Sequence, residues 1–255
     1  MKIMFIHPDF PETWSDDSIF PFGYASLDAV LTRQGHEVEI LIPSTSHLSV
    51  NDLPERIKHS KAELFALGGL FPYMPVIEKA VAKIKAVRPD AKIVLGGQMV
   101  TYSPQLVLKK TGVDFCIAGE GEVALPKLVD CLEKGKDYSN ISGLVFQRNG
   151  KIIDNGLGET MPLEEIPMPN WDKFPMDYYN RSPWFLPSWS RTKQQIVVAW
   201  LLSRGCPMKC NFCASGSATR YKSVEQAMRE LREINDRFHP DRILFCDNFL
   251  MRNRR

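Results

Sequence analysis

The chain has 255 residues, room for one large domain or two modest ones, and its 44% apolar and 24% charged residues are ordinary for a folded globular protein and exclude a disordered one. Lys and Arg total 32 against 30 Asp and Glu, so net charge gives no steering toward nucleic acid, and the one basic cluster, Met251-Arg252-Asn253-Arg254-Arg255, is short and terminal. The opening Met1-Lys2-Ile3-Met4-Phe5-Ile6 is strand-like rather than a signal peptide and no run nears the ~20 apolar residues of a membrane span, so the expectation is a cytoplasmic protein with no nucleic-acid partner and no membrane span.

Residues 1–135 alternate strands and helices. Ile3 to Ile6 is a short apolar strand, followed by a polar, proline-punctuated loop from His7 to Phe22. Tyr24, Leu27, Val30 and Leu31 recur at helical spacing, and Gly35 closes that helix as a C-terminal cap. Val38 to Ile42 is a strand ended by Pro43, and Leu64 to Leu67 is the next, stopped by Gly68-Gly69. Pro75 opens a helix bearing Ile77, Ala80, Val81 and Ile84, at a position where proline's missing N–H is harmless. Ile93-Val94-Leu95 ends at Gly96-Gly97. Phe115-Cys116-Ile117 ends at Gly119-Glu120-Gly121-Glu122, before a helix with Leu125, Leu128, Val129 and Leu132. Five short apolar strands separated by helices predict an α/β fold, a flavodoxin-like, doubly wound parallel sheet covered on both faces. Ligands of such sheets sit beyond the carboxyl ends of the strands, where these glycines lie.

Residues 141–154 read as a hairpin, with Asn149-Gly150 supplying the positive φ angles of a type I′ turn. Residues 155–194 are rich in proline (Pro162, Pro167, Pro169, Pro175, Pro183, Pro187), and Trp171, Trp184 and Trp189 predict that they pack as a docked connecting segment. A second strand–helix unit starts at Ile196 to Leu202. Ser223 with Gln226 fits a capping box, and Val224, Ala227, Met228, Leu231, Ile234 and Phe238 mark the apolar face of the helix behind it. Ile243-Leu244-Phe245 is the next strand. The expected division is 1–139, then a hairpin and linker over 140–194, then 195–255.

Six cysteines in a chain of this kind point to metal or redox chemistry, or to burial, rather than to structural disulfides. Three of them fall within eight residues, in Gly205-Cys206-Pro207-Met208-Lys209-Cys210-Asn211-Phe212-Cys213. Three thiolates on one loop hold three irons of a cubane cluster and leave the fourth iron open to a small chelating molecule. A zinc site completed by Cys246 or His239, and a redox disulfide within the loop, are the other uses of these thiols. Cys116, Cys131 and Cys246 read as buried small hydrophobes.

This loop, C-x-x-x-C-x-aromatic-C after a first barrel strand, resembles the signature of radical S-adenosylmethionine (SAM) enzymes. The resemblance implies a 4Fe-4S cluster on Cys206, Cys210 and Cys213, with SAM on the open iron and cleaved reductively to a 5′-deoxyadenosyl radical. It also implies that backbone around Phe212 lies against the adenine and that Asp247-Asn248 stands where the family contacts the SAM amino group. A small-molecule substrate and an electron donor such as flavodoxin or ferredoxin follow from the same likeness.

The first half resembles the cobalamin-binding domain that precedes many radical SAM barrels. The likeness rests on Pro21-Phe22-Gly23-Tyr24, Gly35-His36-Glu37-Val38, Val94-Leu95-Gly96-Gly97, Val113 through Glu122, and Pro162 through Pro169 with Trp171-Asp172. It implies cobalamin contacts at Gly23, Gly68, Gly69, Gly96, Gly97, Gly119, Glu120, Gly121 and Glu122. A flat corrin needs close backbone approach, which glycines permit, although glycines that merely end strands would look the same. On this view bulky residues at Gly97 or Gly121 block cobalamin with little loss of fold. No Asp-x-His-x-x-Gly string occurs, which favours cobalamin without a histidine on its lower face; His7, just after the first strand, is placed to approach a ligand but reads first as a surface residue. A radical SAM barrel has about six strand–helix units, so the last part reads as a partial (β/α) barrel and the chain as the N-terminal part of a longer enzyme, inactive alone. The implied activity is methyl transfer to an unreactive carbon or phosphorus, or a cyclisation or rearrangement. The alternatives are a non-catalytic cofactor-binding fragment and a methylthiotransferase.

Overall fold

Strands that are apolar on both faces have to be covered on both faces, and the first unit is built that way. The computed structural model describes residues 1–10, 20–180, 195–213 and 217–250, so Trp184, Trp189 and the basic run 251–255 lie outside the described residues. The chain divides into two compact units. The first comprises Met1–Asp16, Phe22–Met161 and Pro169–Phe174; the second comprises Asp17–Pro21, Pro162–Met168 and Pro175–Arg255.

The first unit holds β1 (Lys2–Ile6), α1 (Phe22–Arg33), β2 (Glu37–Leu41), α2 (Pro43–Ser46), α3 (Leu53–Lys58), β3 (Leu64–Gly68), α4 (Met74–Val87), β4 (Lys92–Gly96), α5 (Gln98–Tyr102), α6 (Pro104–Thr111), β5 (Phe115–Ile117), α7 (Gly121–Lys134), β6 (Leu144–Arg148) and β7 (Lys151–Asp154). They form one seven-stranded sheet in the order β2-β1-β3-β4-β5-β6-β7, with β1 to β5 parallel. The five expected parallel strands are all present.

Alternate side chains sort to opposite faces, as strand geometry demands. Met4, Ile6, Phe65, Leu67, Ile93 and Leu95 pack with Ile57, Ile77, Ile84 and Val107 of α3, α4 and α6. Ile3, Phe5, Leu64, Ala66, Val94 and Phe115 pack on the other face with Leu31 of α1 and with Leu125 and Leu128 of α7. The connection leaving β1 and the connections leaving β3 and β4 therefore cover opposite faces, which makes the β1/β3 boundary a topological switch point.

The hairpin, grouped by sequence with the connecting segment, instead continues this sheet. β6 pairs antiparallel with β5, Cys116 opposite Val145, because Leu144, Val145 and Phe146 are buried and need a strand beside them. Asn149 and Gly150 have φ of 52° and 76°, the pair a type I′ turn requires. A later piece of the connecting segment also belongs here. Lys173 Nζ reaches the fully buried Asp28 Oδ1 at 2.5 Å and the Val38 carbonyl at 3.1 Å, while Trp171 and Phe174 are buried.

The second unit is a strand–helix–strand with a ribbon inserted. It contains α8 (Met176–Tyr179), β8 (Val197–Trp200), β9 (Ser203–Cys206), β10 (Ser217–Tyr221), α9 (Val224–Phe238) and β11 (Arg242–Phe245). β8 pairs parallel with β11, and β9 pairs antiparallel with β10. The inward face of α9 differs from the apolar pattern. Val224 and Met228 are 73% and 43% exposed, whereas Gln226, Ala227, Glu230 and Ile234 are buried. Two polar residues go inside because their partners are there. Glu230 accepts the Trp200 indole N–H at 2.7 Å and the Lys222 ammonium, and it accepts the Gln226 amide at 2.9 Å. The capping box is accordingly one-sided. Ser223 Oγ accepts the Gln226 N–H at 3.1 Å, but the Gln226 side chain turns to the Leu163 carbonyl and Glu230.

The glycine turns after β3 and β4 lie against each other. Gly97 has φ of +88°, and a Cβ placed on it would stand 2.7 Å from both the N and the O of Gly69. Gly69 N–H and Met99 N–H complete the contact through Gly96 O and Gly69 O. Gly97 is thus required by backbone packing, and a replacement there is not neutral to the fold, contrary to the expectation above. The neighbour of Gly121 is instead the end of the Leu27 side chain, at 3.0 Å, rather than backbone. Gly97→Ala should lose about 2 kcal/mol or more of unfolding free energy, from the positive φ together with the collision. Gly96→Ala, whose nearest atom is Ile117 O at 4.0 Å, should change stability by less than about 1 kcal/mol. Guanidinium titration of the two variants checks this; equal losses would contradict the packing account.

Candidate functional site

The carboxyl ends of β3, β4 and β5 open into a cavity of about 70 Å³ lined also by residues of α1 and α7. Leu27, Ala66, Val94, Ile117 and Leu125 give it apolar walls, and Gly96, Gly97, Gly119 and Gly121 form part of its rim. These four glycines are thus gathered as the sequence implied. The other expected contacts stand apart from the cavity lining. Gly68 and Gly69 pack on the Gly96-Gly97 turn, and Gly23 sits exposed in the first turn of α1. Glu122 is buried and accepts the Ser26 hydroxyl at 2.6 Å, between α7 and α1. Glu120 is the residue preceding α7.

At the switch point, His7 is not the surface residue expected. Its side chain is 13% exposed, with Nδ1 3.3 Å from Asp9 Oδ1, and Asp9 is buried to 1%. Asp9 Oδ2 accepts the Ser44 hydroxyl at 2.5 Å. The Tyr24 hydroxyl lies 3.1 Å from the Ile6 carbonyl and 3.0 Å from that of Gly68, so it bridges the ends of β1 and β3. Burial drives the Tyr24 phenol far above its ordinary range, so it stays a neutral donor. Sequence reasoning missed this corner. Its only signal was an acid two residues after a histidine at a strand end.

In the second unit the cysteine loop joins β9 to β10. Cys206 is the last residue of β9 and half-buried, while Cys210 and Cys213 are exposed and share a turn in which Cys213 N–H donates to the Cys210 carbonyl at 3.1 Å. None of the six cysteines is in a disulfide. Phe212 is 93% exposed. The fold brings the three thiols to one loop rather than to one point, for among the described residues no group of three His, Cys, Asp or Glu side chains is close enough to hold an ion. Cys246 is half-buried, and burial pushes its thiol up to about 11. Cys131 is half-buried too and donates to the Asp137 carbonyl at 3.5 Å, so of the three isolated cysteines Cys116 alone is a fully buried one.

Asp247 follows β11, and its carboxylate accepts Leu202 N–H at 3.2 Å, Ser203 N–H at 2.5 Å and the Ser203 hydroxyl at 2.5 Å. Asn248 beside it is exposed. Among the described residues no helix is long and apolar enough to cross a membrane.

Comparison with known proteins sets this geometry in a family. Residues 16–129 match the B12 binding domain. An uncharacterized methyltransferase of Pyrococcus horikoshii is 30% identical over 92% of this chain and 50% of its own length. An anaerobic magnesium-protoporphyrin IX monomethyl ester cyclase of Synechocystis is 26% identical over 84% of this chain and 42% of its own. The chain thus spans about half the length of the curated relatives it matches. The solved structure of TsrM from Kitasatospora setae, a radical SAM methyltransferase with tryptophan and a SAM analogue bound, superposes with a TM-score of 0.74 over 97% of this chain and 47% of that one, at 16% identity. OxsB, a cobalamin-dependent SAM radical enzyme, superposes with a TM-score of 0.75 over 97% of this chain and 34% of its own, at 19% identity. With a B12-binding domain in its first half, the three-cysteine ribbon in its second, and relatives aligned across both, this chain belongs to the cobalamin-binding radical SAM family.

Proposed function

We propose that the chain binds cobalamin over the carboxyl ends of its parallel strands, and a [4Fe–4S] cluster with SAM at the cysteine ribbon. It serves a cobalamin-dependent radical SAM reaction, methyl transfer to an unreactive carbon or phosphorus. The observation that carries this reading is the set of three undisulfided thiols on one loop, two of them exposed. That donor set suits a cubane cluster with one iron left for SAM. The apolar cavity at the carboxyl ends of the parallel strands, where Gly96, Gly97, Gly119 and Gly121 meet, suits cobalamin. A cluster and cobalamin held there would supply the electron that cleaves SAM and a carrier for its methyl group.

The chain's own residues do the holding. Cys206, Cys210 and Cys213 bind iron, Phe212 offers an open aromatic face beside them, and Gly96, Gly97, Gly119 and Gly121 keep the sheet edge low. Tyr24 ties the β1 and β3 ends beneath that edge. A small-molecule substrate, a one-electron donor of the flavodoxin or ferredoxin type and a cytoplasmic location complete the reading, because reduced thiols and low-potential clusters persist there.

A second reading, cyclisation, is favoured by the Synechocystis relative, whose name is that of a cyclase. A methylthiotransferase would need a further thiol cluster in the first unit, but Cys116 and Cys131 pack on opposite faces of the sheet.

Anaerobic reconstitution should load about four irons and four sulfides per chain. Cys206→Ala, Cys210→Ala or Cys213→Ala should each abolish this, whereas Cys116→Ala and Cys131→Ala should leave it intact. A full cluster in any of the first three variants would refute the ligand assignment.

Alkylation at pH 8 gives a second test. Burial pushes the Cys116 thiol up to about 12. The proton is held below that value, so only about one molecule in ten thousand carries the thiolate at pH 8. Iodoacetamide should spare Cys116 throughout, and should label Cys210 and Cys213 in the metal-free chain but not after cluster loading.

For cobalamin, Leu27→Trp fills the cavity from the α1 side and should weaken hydroxocobalamin binding at least about tenfold, with Leu27→Met unchanged. Equilibrium dialysis reads the affinity, and iron content serves as the control. A well-folded wild-type chain that takes up no cobalamin would end this part of the reading.

A further inference from the structure

The ribbon that carries Cys206 belongs to neither strand of the β8–β11 pair. Among the described residues β9–β10 and β8–β11 are separate two-stranded sheets. The turn between β8 and β9, residues 201–202, is where the ribbon leaves the strand–helix–strand frame, and side-chain contacts there tie the two together.

Asp247 is one residue that does so. The β8–β11 ladder ends with Cys246 N–H donating to the Trp200 carbonyl at 2.9 Å. The next residue, Asp247, turns its carboxylate across the β8–β9 turn, where Oδ2 accepts Leu202 N–H at 3.2 Å and Oδ1 accepts both Ser203 N–H and Ser203 Oγ–H at 2.5 Å. Ser203 is 2% exposed, so without Asp247 its N–H would be left buried and unsatisfied. The same short segment reaches the other ribbon strand, since the Phe249 carbonyl accepts the Tyr221 hydroxyl at 3.3 Å. Lys222 N–H closes the base of the ribbon on the Leu202 carbonyl at 3.0 Å. Cys206 lies three residues beyond Ser203 on the same strand.

We propose that Asp247 is a positioning residue for the cluster loop, setting Cys206 through its grip on the Leu202 and Ser203 N–H groups, and is not a contact of SAM. A carboxylate offers about four acceptor positions, and three donors already occupy this one. The proposal rests on the reading of Cys206, Cys210 and Cys213 as cluster ligands. It gives Asp247 the part of a hydrogen-bonding partner that orients a metal ligand from outside the coordination sphere.

The test compares anaerobically reconstituted wild type with Asp247→Asn, Asp247→Ala and Ser203→Ala. It reads iron release to a chelator and the change that SAM produces in the electron paramagnetic resonance spectrum of the reduced cluster. The two Asp247 variants should release iron about 10–100-fold faster than wild type. Ser203→Ala should do so less, because both backbone bonds to the carboxylate survive. The SAM-induced spectral change should persist in the cluster that remains. Wild-type release from Asp247→Ala with the SAM effect gone would overturn the proposal and make Asp247 a SAM contact. A wild-type chain that assembles no cluster would overturn the cysteine reading and this proposal with it. Should Asp247→Ala fail to fold, the near-isosteric Asp247→Asn decides through hydrogen exchange of the metal-free chain. Faster exchange at the Leu202 and Ser203 amides supports the proposal, and unchanged exchange overturns it.

Discussion

Two glycine backbones in contact govern the carboxyl ends of β3 and β4, where cobalamin binding is proposed. The turns leaving β3 and β4 run side by side, and the absence of a Cβ at Gly97 lets the Gly69 peptide lie against it. A sheet covered by helices on both faces leaves only its strand ends free to meet a ligand. How closely those ends pack therefore decides how much room remains above them. The same device recurs beside β5, where a Cβ on Gly143 would stand 2.6 Å from the Gly158 Cα and Gly158 N–H donates to the Ala118 carbonyl at 2.8 Å. Gly96, Gly119 and Gly121 line the apolar cavity beside these crossings.

The second unit solves a different problem with charge. A single strand–helix–strand has a small core, and α9 adds a buried carboxylate to it. Glu230 is tolerated because an indole N–H, an ammonium and an amide converge on it. Lys222 stands over the Trp200 ring at 5.3 Å as well, so cation, carboxylate and aromatic ring fix one another's rotamers. Burial lowers the affinity of the Lys222 amine for its proton, while Glu230 opposes that shift. The cluster fixes α9 behind β8, and β8 leads into the cysteine ribbon.

Much of the first unit was legible because its strands are short, apolar and ended by glycine or proline, and one period repeated five times. The hairpin turn was legible in Asn149-Gly150, but its membership of the sheet was not. Nothing local to Leu144-Val145-Phe146 says which strand will lie beside it. The inward face of α9 was misjudged at Val224 and Met228, since periodicity counts apolar residues and has no knowledge of distant partners for Gln226 and Glu230. His7 and Asp9 were obscure for the same reason, as their burial depends on Ser44 and Tyr24, far along the chain. The three cysteines were plain from spacing alone. The acid at 247 that bonds to the strand bearing Cys206 was read by likeness as a ligand contact, and only the fold shows which amides it faces.

The added hairpin changes what the sheet shows to other molecules. With β6 and β7 in place, the outermost strands are β2 and β7. Each is short, and each carries charge: Glu37 and Glu39 on one, Lys151 and Asp154 on the other, with Lys2 and Arg56 paired to the first two. A row of unpaired peptide groups is an invitation to a neighbouring copy, and charged side chains along it make that pairing unfavourable. The inner parallel strands β1, β3, β4 and β5, rich in Ile, Val, Leu and Phe, are kept from the edge, where they would be most prone to fibrillar association during synthesis and reconstitution.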